Sequence, residues 1–137
     1  MAMQKYVARL RKQEQPVAVM VMDIDHFRRY NQHYGQAAGD EILKALAQVL
    51  QQGVREDDLI ARYGGEGFVV VMAGSATQCL GAAQRLANRI KKMPIPIRGS
   101  NLRITVSAGV AGWPEHGSGA DQLVEAAETA LNTAKVK

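Results

Sequence analysis

Cysteine is all but missing from this chain: Cys79 stands alone among 137 residues. No disulfide can close within it and no cysteine-built metal site can form, so a reducing cytoplasm is the simplest compartment. No apolar run reaches the ~18 residues of a membrane span, and no signal-peptide pattern opens the chain. A membrane segment elsewhere in a longer parent stays open. Charge of neither sign is concentrated. Seventeen Lys and Arg against thirteen Asp and Glu leave a net charge of +4, with the basic residues scattered. That balance implies no nucleic-acid surface, whereas a site for a small polyphosphate fits it. Repeats, low-complexity tracts and internal linkers are also absent. What remains is ordinary globular composition, 47% hydrophobic and 22% charged, in a chain long enough for one domain with one core.

The apolar pattern predicts the elements. Met3, Tyr6, Val7 and Leu10 fall at i, i+3, i+4 and i+7 of a short amphipathic helix, which Pro16 ends. Val17 to Met22 are continuously apolar, the pattern of a central strand buried on both faces. Residues 26–34 read as a short helix with Phe27 and Tyr30 inward. Gly35 breaks it, Gln36-Ala37-Ala38-Gly39 is a second break, and Asp40 opens a longer helix closed by Gly53. Leu59 to Ala61 and Phe68 to Met72 flank a tight glycine turn, giving a hairpin. A helix follows from Ser75 to Lys92, in which Cys79 is a small packing residue. Pro94 and Pro96 exclude helix, and a second hairpin runs from Ile95 through Gly99 into a half-buried strand from Leu102 onward. A last helix carries Leu123, Ala127 and Leu131. Helices between apolar strands predict an α+β fold, a ferredoxin-like βαββαβ core with an added hairpin and added helices. Met1-Ala2-Met3 and Lys137 read as cuts in a larger protein, with residues 1–14 a connecting helix.

Two stretches carry chemistry. Asp23-Ile24-Asp25 places two carboxylates at the end of the buried strand. Capping the next helix accounts for Asp25 but not for Asp23. The turn Gly64-Gly65-Glu66 has no side chain over its first half, so an anion can approach its backbone amides. If the first strand lies beside the hairpin, Asp23 and Glu66 face each other. Oxygen ligands from two strands suit magnesium, with phosphate or water completing its shell. From spacing alone, this metal reading and a plain hairpin turn stand level.

The run Asp23-Ile24-Asp25-His26-Phe27-Arg28-Arg29-Tyr30-Asn31, with Tyr34-Gly35, Ala38-Gly39-Asp40 and Arg62-Tyr63-Gly64-Gly65-Glu66-Gly67-Phe68, resembles a GGDEF domain. Val106-Ser107-Ala108-Gly109-Val110-Ala111 and Ala134-Lys135 extend the match over nearly the whole chain. The resemblance implies a fold like nucleotidyl cyclases and polymerase palms. It implies a diguanylate cyclase, joining two GTP into cyclic di-GMP with one GTP held by each half of a homodimer. It also implies an N-terminal sensor domain outside this chain. In such a site Asp23, the Ile24 carbonyl and Glu66 bind magnesium, two ions per site, or manganese in its place. Glu66 doubles as the base for the ribose 3′-hydroxyl. Asn31, Asp40 and Gln36 read the guanine, Gly64 and Gly65 receive phosphate, and Lys135 meets the triphosphate. Arg55 and Asp58 stand where the family's inhibitory site binds cyclic di-GMP.

The departures matter as much. The family motif has glutamate where this chain has Gly67, so a carboxylate near the metals is missing and the hairpin tip is expected to be looser. Restoring it as Gly67→Glu is expected to raise turnover if nothing else is wrong. Asn132 replaces the usual tyrosine of the last helix, and the glycine-arginine-asparagine stretch expected after Lys135 is not in this sequence. Two readings follow: a cyclase weakened at Gly67, or an inactive GGDEF domain that senses cyclic di-GMP or GTP.

Overall fold

In the computed structural model, which describes residues 2–136, the apolar run after Pro16 forms a strand, β1 (Val17–Ile24), buried at every position but Asp23. Alternation along it sends Val17, Val19 and Val21 to one layer and Ala18, Met20, Met22 and Ile24 to the other. Such a strand must be covered on both sides. One layer comes from α2 (Phe27–Tyr34), α3 (Gln36–Gly53) and α4 (Ala76–Lys92), through Phe27, Ile42, Leu46, Leu50, Leu86 and Ile90. The other comes from α1 (Ala2–Lys12) and α5 (Ala120–Val136), through Val7, Leu10, Leu123, Ala127 and Leu131.

The sheet is antiparallel, in the order β2-β3-β1-β6, where β2 is Leu59–Tyr63, β3 is Gly67–Ala73 and β6 is Val106–Trp113. This is the ferredoxin-like βαββαβ arrangement. The chain crosses from β1 to β2 through α2 and α3, and from β3 to β6 through α4, each time leaving room for one strand between. Helices on both sheet faces distinguish it from the plain core, as the sequence pattern anticipates. Ser75 closes the start of α4 with a reciprocal capping box to Gln78. Cys79 is fully buried in this helix, and burial pushes its thiol up to about 12, consistent with an inert packing role.

Two expectations are corrected. Gly39 does not break the helix: α3 starts at Gln36 and runs through it. A Cβ at position 39 would lie 1.8 Å from the Asn31 Oδ1, so the glycine records close packing of α2 on α3. The second hairpin, β4 (Ile95–Ile97) with β5 (Ser100–Leu102), is a separate two-stranded sheet. It closes on Arg98 and Gly99, both at positive φ, and residues 103–105 lie in no strand before β6 begins.

One contact sets the height of α5 over the sheet. At Gly109 of β6, an added Cβ would fall 1.9 Å from the Ala127 carbonyl oxygen and 2.3 Å from the Leu131 nitrogen. Both obstacles are helix backbone and cannot swing away. Gly109→Ala is expected to lower unfolding free energy by ~2–3 kcal/mol, read from urea denaturation. Gly119→Ala, where the new methyl meets nothing within 4 Å, should stay within about 0.5 kcal/mol of the parent.

Candidate functional site

Strand register lines up one row of residues across the sheet. Tyr63 of β2 opposes Gly67 of β3, which opposes Asp23 of β1, which opposes Ser107 of β6. The row faces α5, and α5 answers it with Glu128, Leu131, Asn132 and Lys135. These lie at i, i+3, i+4 and i+7, one face of a helix. The Lys135 ammonium donates to Asp23 Oδ2 at 2.5 Å and lies 3.7 Å from Glu66 Oε1. The Tyr63 hydroxyl donates to the Glu128 carboxylate. Between these two pairs, over Gly67, is a cavity of about 220 Å³ also bordered by Asp23, Glu66 and Asn132.

The hairpin turn itself is open. Gly64 has φ +63, a conformation that favours glycine, and a side chain at either Gly64 or Gly65 would meet nothing within 4 Å. Arg62 steadies the turn by donating to the Gly65 carbonyl at 3.3 Å. The Glu66 carbonyl accepts from the Ile24 amide at 3.2 Å, which ties the turn to the end of β1.

Electrostatics follow from this proximity. Partial burial and the neighbouring Asp23 carboxylate raise the Glu66 carboxyl above its ordinary value, against the opposing pull of Lys135. Burial works to lower Lys135, but its bond to Asp23 and the charges of Asp23, Glu66 and Asp25 outweigh that and raise it. The Asp23 side chain is 17% exposed, and its Oδ1 is buried with no hydrogen-bond partner among the described residues. An orphaned carboxylate oxygen beside a second carboxylate is a donor set that fits a hard divalent cation. Among the described residues no three His, Cys, Asp or Glu side chains gather for a metal, so a backbone carbonyl, Ile24 being at the strand end, and ligand oxygens would have to complete the shell.

Asp25 takes a different part from the one expected. It does not cap α2, whose N-cap His26 sits at φ +61 with no side-chain cap bond. Instead its two oxygens accept from Thr105 Oγ1 and Ser107 Oγ, each at 2.7 Å. The loop after β1 is thereby pinned to β6. Asp25, His26, Ser107, Ala134 and Lys135 border a polar hollow of about 490 Å³, a size ordinary for small-molecule sites. A larger concavity of about 620 Å³ runs along β2 between α1 and α5. Its walls are mostly apolar; Asp23, Glu66 and the glycine turn border the cavity of about 220 Å³, and Lys135 borders the polar hollow.

The three guanine candidates are on neighbouring helices. Asn31 is half-buried on α2, its Oδ1 against Gly39 and without a partner among the described residues. Asp40 is the next residue along α3 and is exposed, as is Gln36 on the first turn. No hydrogen bond of the described residues links these side chains to Asp23 or Glu66. Arg55 and Asp58 belong to a separate place. Asp58 folds back on the Arg55 amide at 2.8 Å, and both border a pocket with Met72, Ala73 and Arg85. β3 thus runs from Gly67 at one candidate site to Ala73 at the other, about 20 Å at a strand's rise. Tyr6 of α1 also feels this loop: burial, then the Asp58 charge, raises its phenol.

Residues 2–137 match the family model described as "Diguanylate cyclase, GGDEF domain". The chain belongs to the GGDEF family. Diguanylate cyclase DgcP of Pseudomonas aeruginosa is 36% identical over 134 residues, covering 97% of this chain and 20% of that protein. Diguanylate cyclase A of Treponema denticola is 32% identical over 125 residues, covering 90% of this chain and 34% of that protein. The chain therefore spans a fifth to a third of these curated relatives. Among solved structures, the isolated GGDEF domain of PA1120 (TpbB or YfiN) from Pseudomonas aeruginosa superposes with a TM-score of 0.91 at 30% identity. That match covers 98% of this chain and 80% of that one. The fold is the palm-like nucleotidyl-cyclase fold of GGDEF domains.

Within the GGDEF motif, Gly67 is not the loose hinge the sequence suggests. It is buried, paired in register with Asp23, and begins β3. A Cβ here would fall 2.4 Å from the Met22 carbonyl oxygen and 3.1 Å from Asp23 Oδ1. The strands close on the missing side chain, so a carboxylate cannot simply be put back. Three residues that touch these places escaped the sequence reading: Thr105, Glu128 and Arg85. Ser107 stood in the stretch that resembles the family, with no role attached to it. Gly67→Glu is expected to destabilise the domain by ~2–3 kcal/mol in urea unfolding and to give no gain in cyclic di-GMP formation. A stable Gly67→Glu variant with raised turnover would contradict the close strand pairing.

Proposed function

We propose that this GGDEF domain carries a diguanylate cyclase-type site, joining two GTP molecules into cyclic di-GMP with release of pyrophosphate, and slowed by Gly67. The observation that carries the reading is the convergence of Asp23 near the end of β1 and Glu66 in the hairpin turn, both near the Lys135 ammonium, with one Asp23 oxygen buried and unpartnered among the described residues. Asp23, the Ile24 carbonyl and Glu66 would hold magnesium, two ions per site, or manganese. Such ions neutralise charge on the phosphates and on the leaving pyrophosphate. Gly64 and Gly65 offer open amides to phosphate oxygens, and Lys135 adds a cation. Asn31, Gln36 and Asp40 offer amide and carboxylate groups to the acceptor and donor edges of guanine.

In the reaction each ribose 3′-oxygen attacks the α-phosphorus of the facing nucleotide. Its proton passes to Glu66 and the pyrophosphate bond breaks. One domain holds one GTP, so the parent protein works as a homodimer in the cytoplasm, with a sensor domain on the N-terminal side of α1. Losing one charged group at such a site raises the barrier by ~2–4 kcal/mol, on the order of 10²–10³ in rate. Incubating an artificially dimerised domain with GTP and magnesium should yield slow cyclic di-GMP formation, abolished by Asp23→Asn. No product at high protein concentration would leave the sensor reading in its place.

The pocket of Arg55, Asp58 and Arg85 favours that second reading, as a cyclic di-GMP sensor. Guanidinium groups fork onto guanine O6 and N7, and a carboxylate accepts from ring N–H groups. In a cyclase the same pocket is the inhibitory site. Calorimetry with cyclic di-GMP should show binding that Arg55→Ala weakens at least tenfold, the loss of a bidentate contact. Unchanged binding would remove the pocket from both readings.

A further inference from the structure

Lys135 is already a cation at the carboxylates. Its ammonium lies 2.5 Å from Asp23 Oδ2 and 3.7 Å from Glu66 Oε1, and its side chain is only 31% exposed. Two other anions nearby are otherwise engaged. Asp25 is bound to Thr105 and Ser107, and Glu128 accepts from Tyr63. The ammonium is therefore committed to Asp23 and Glu66, where with Gly67 in the motif only two carboxylates compete for positive charge. Those two carboxylates and one ammonium sum to a single negative charge, so the partly buried site is half neutralised from within. Lys135 sits in the last turn of α5. It can reach outward on four methylenes toward the polar hollow bordered by Ala134, His26 and its own side chain.

We propose that Lys135 is a resident counter-cation, which a divalent ion must displace from Asp23 and Glu66 and which is then free to meet anionic oxygens of a bound phosphate chain. This rests on the reading of Asp23 and Glu66 as divalent-ion ligands. It makes metal and polyphosphate binding mutually dependent. Without phosphate, the ammonium competes with the metal for the carboxylates, so a higher metal concentration displaces it. With phosphate present, leaving Asp23 costs the lysine nothing, because a second anion receives it. One substitution then acts in opposite directions on the two ligands, which a lysine that only binds phosphate would not do.

The test is a Mn²⁺ titration of the nucleotide-free protein, followed by electron paramagnetic resonance, on the parent, Lys135→Met and Asp23→Asn. Lys135→Met should bind Mn²⁺ about three- to tenfold more tightly, the scale of a partly buried ion pair. It should also bind a non-hydrolysable GTP analogue with Mg²⁺ more weakly by a similar factor. Lysine-selective ¹H–¹⁵N spectra give an independent readout. The Lys135 ammonium signal should be held in the parent, mobile in Asp23→Asn, and released in the parent by Mg²⁺ alone. Mn²⁺ affinity that falls in Asp23→Asn but is unchanged in Lys135→Met would overturn the exchange while leaving the metal reading intact. Failure of every protein to bind Mn²⁺ would overturn both. A Lys135 signal that Mg²⁺ does not move would overturn the exchange alone.

Discussion

The structure depends on the compensation of one carboxylate, Asp23, at the edge of a strand buried on both faces. β1 is apolar because two helix layers cover it, and it stays apolar until the position where the chain must leave the sheet. Asp23 is therefore neither in the core nor in water. A charge so placed needs partners, and the fold supplies them from far along the sequence: Lys135 from the last helix and the open turn before β3. One oxygen still lacks a partner among the described residues. The glycines that let the backbone close up, Gly67 against β1 and Gly109 against α5, set how near those partners come.

The sequence makes the central strand, the helix stripes and the sheet order legible, because each depends on periodicity and on the crossovers it forces. It also makes the Asp23–Glu66 meeting legible, since a hairpin beside the first strand allows little else. Contacts between distant segments that leave no periodic trace were not legible. Asp25 looks like a helix cap because Thr105 and Ser107, 80 and 82 residues away, are invisible to local spacing. Gly39 looks like a helix break because its neighbour Asn31 lies across a helix pair. Gly67 looks like a loose tip because the carbonyl that crowds it belongs to β1. In all three cases tertiary packing overrides a sound local rule.

β3 joins the two candidate sites of this GGDEF domain. Its first residue, Gly67, stands in the metal-candidate row, and its last two residues wall the pocket of Arg55, Asp58 and Arg85. Between them the strand is buried on both faces, so displacement at one end is poorly absorbed along the way. The helix α1 passes the Arg55–Asp58 loop closely enough for Asp58 to influence Tyr6.

The central claim is that Asp23 and Glu66 form the seat of a divalent ion that a guanine nucleotide shares. A crystal structure with Mn²⁺ and a non-hydrolysable GTP analogue tests it most directly. The account predicts an anomalous peak within coordination distance of both carboxylates and the Ile24 carbonyl, with phosphate oxygens on the Gly64–Gly65 amides and guanine at Asn31 and Asp40. Nucleotide bound only at Arg55 and Asp58, with no ion at Asp23, would contradict it.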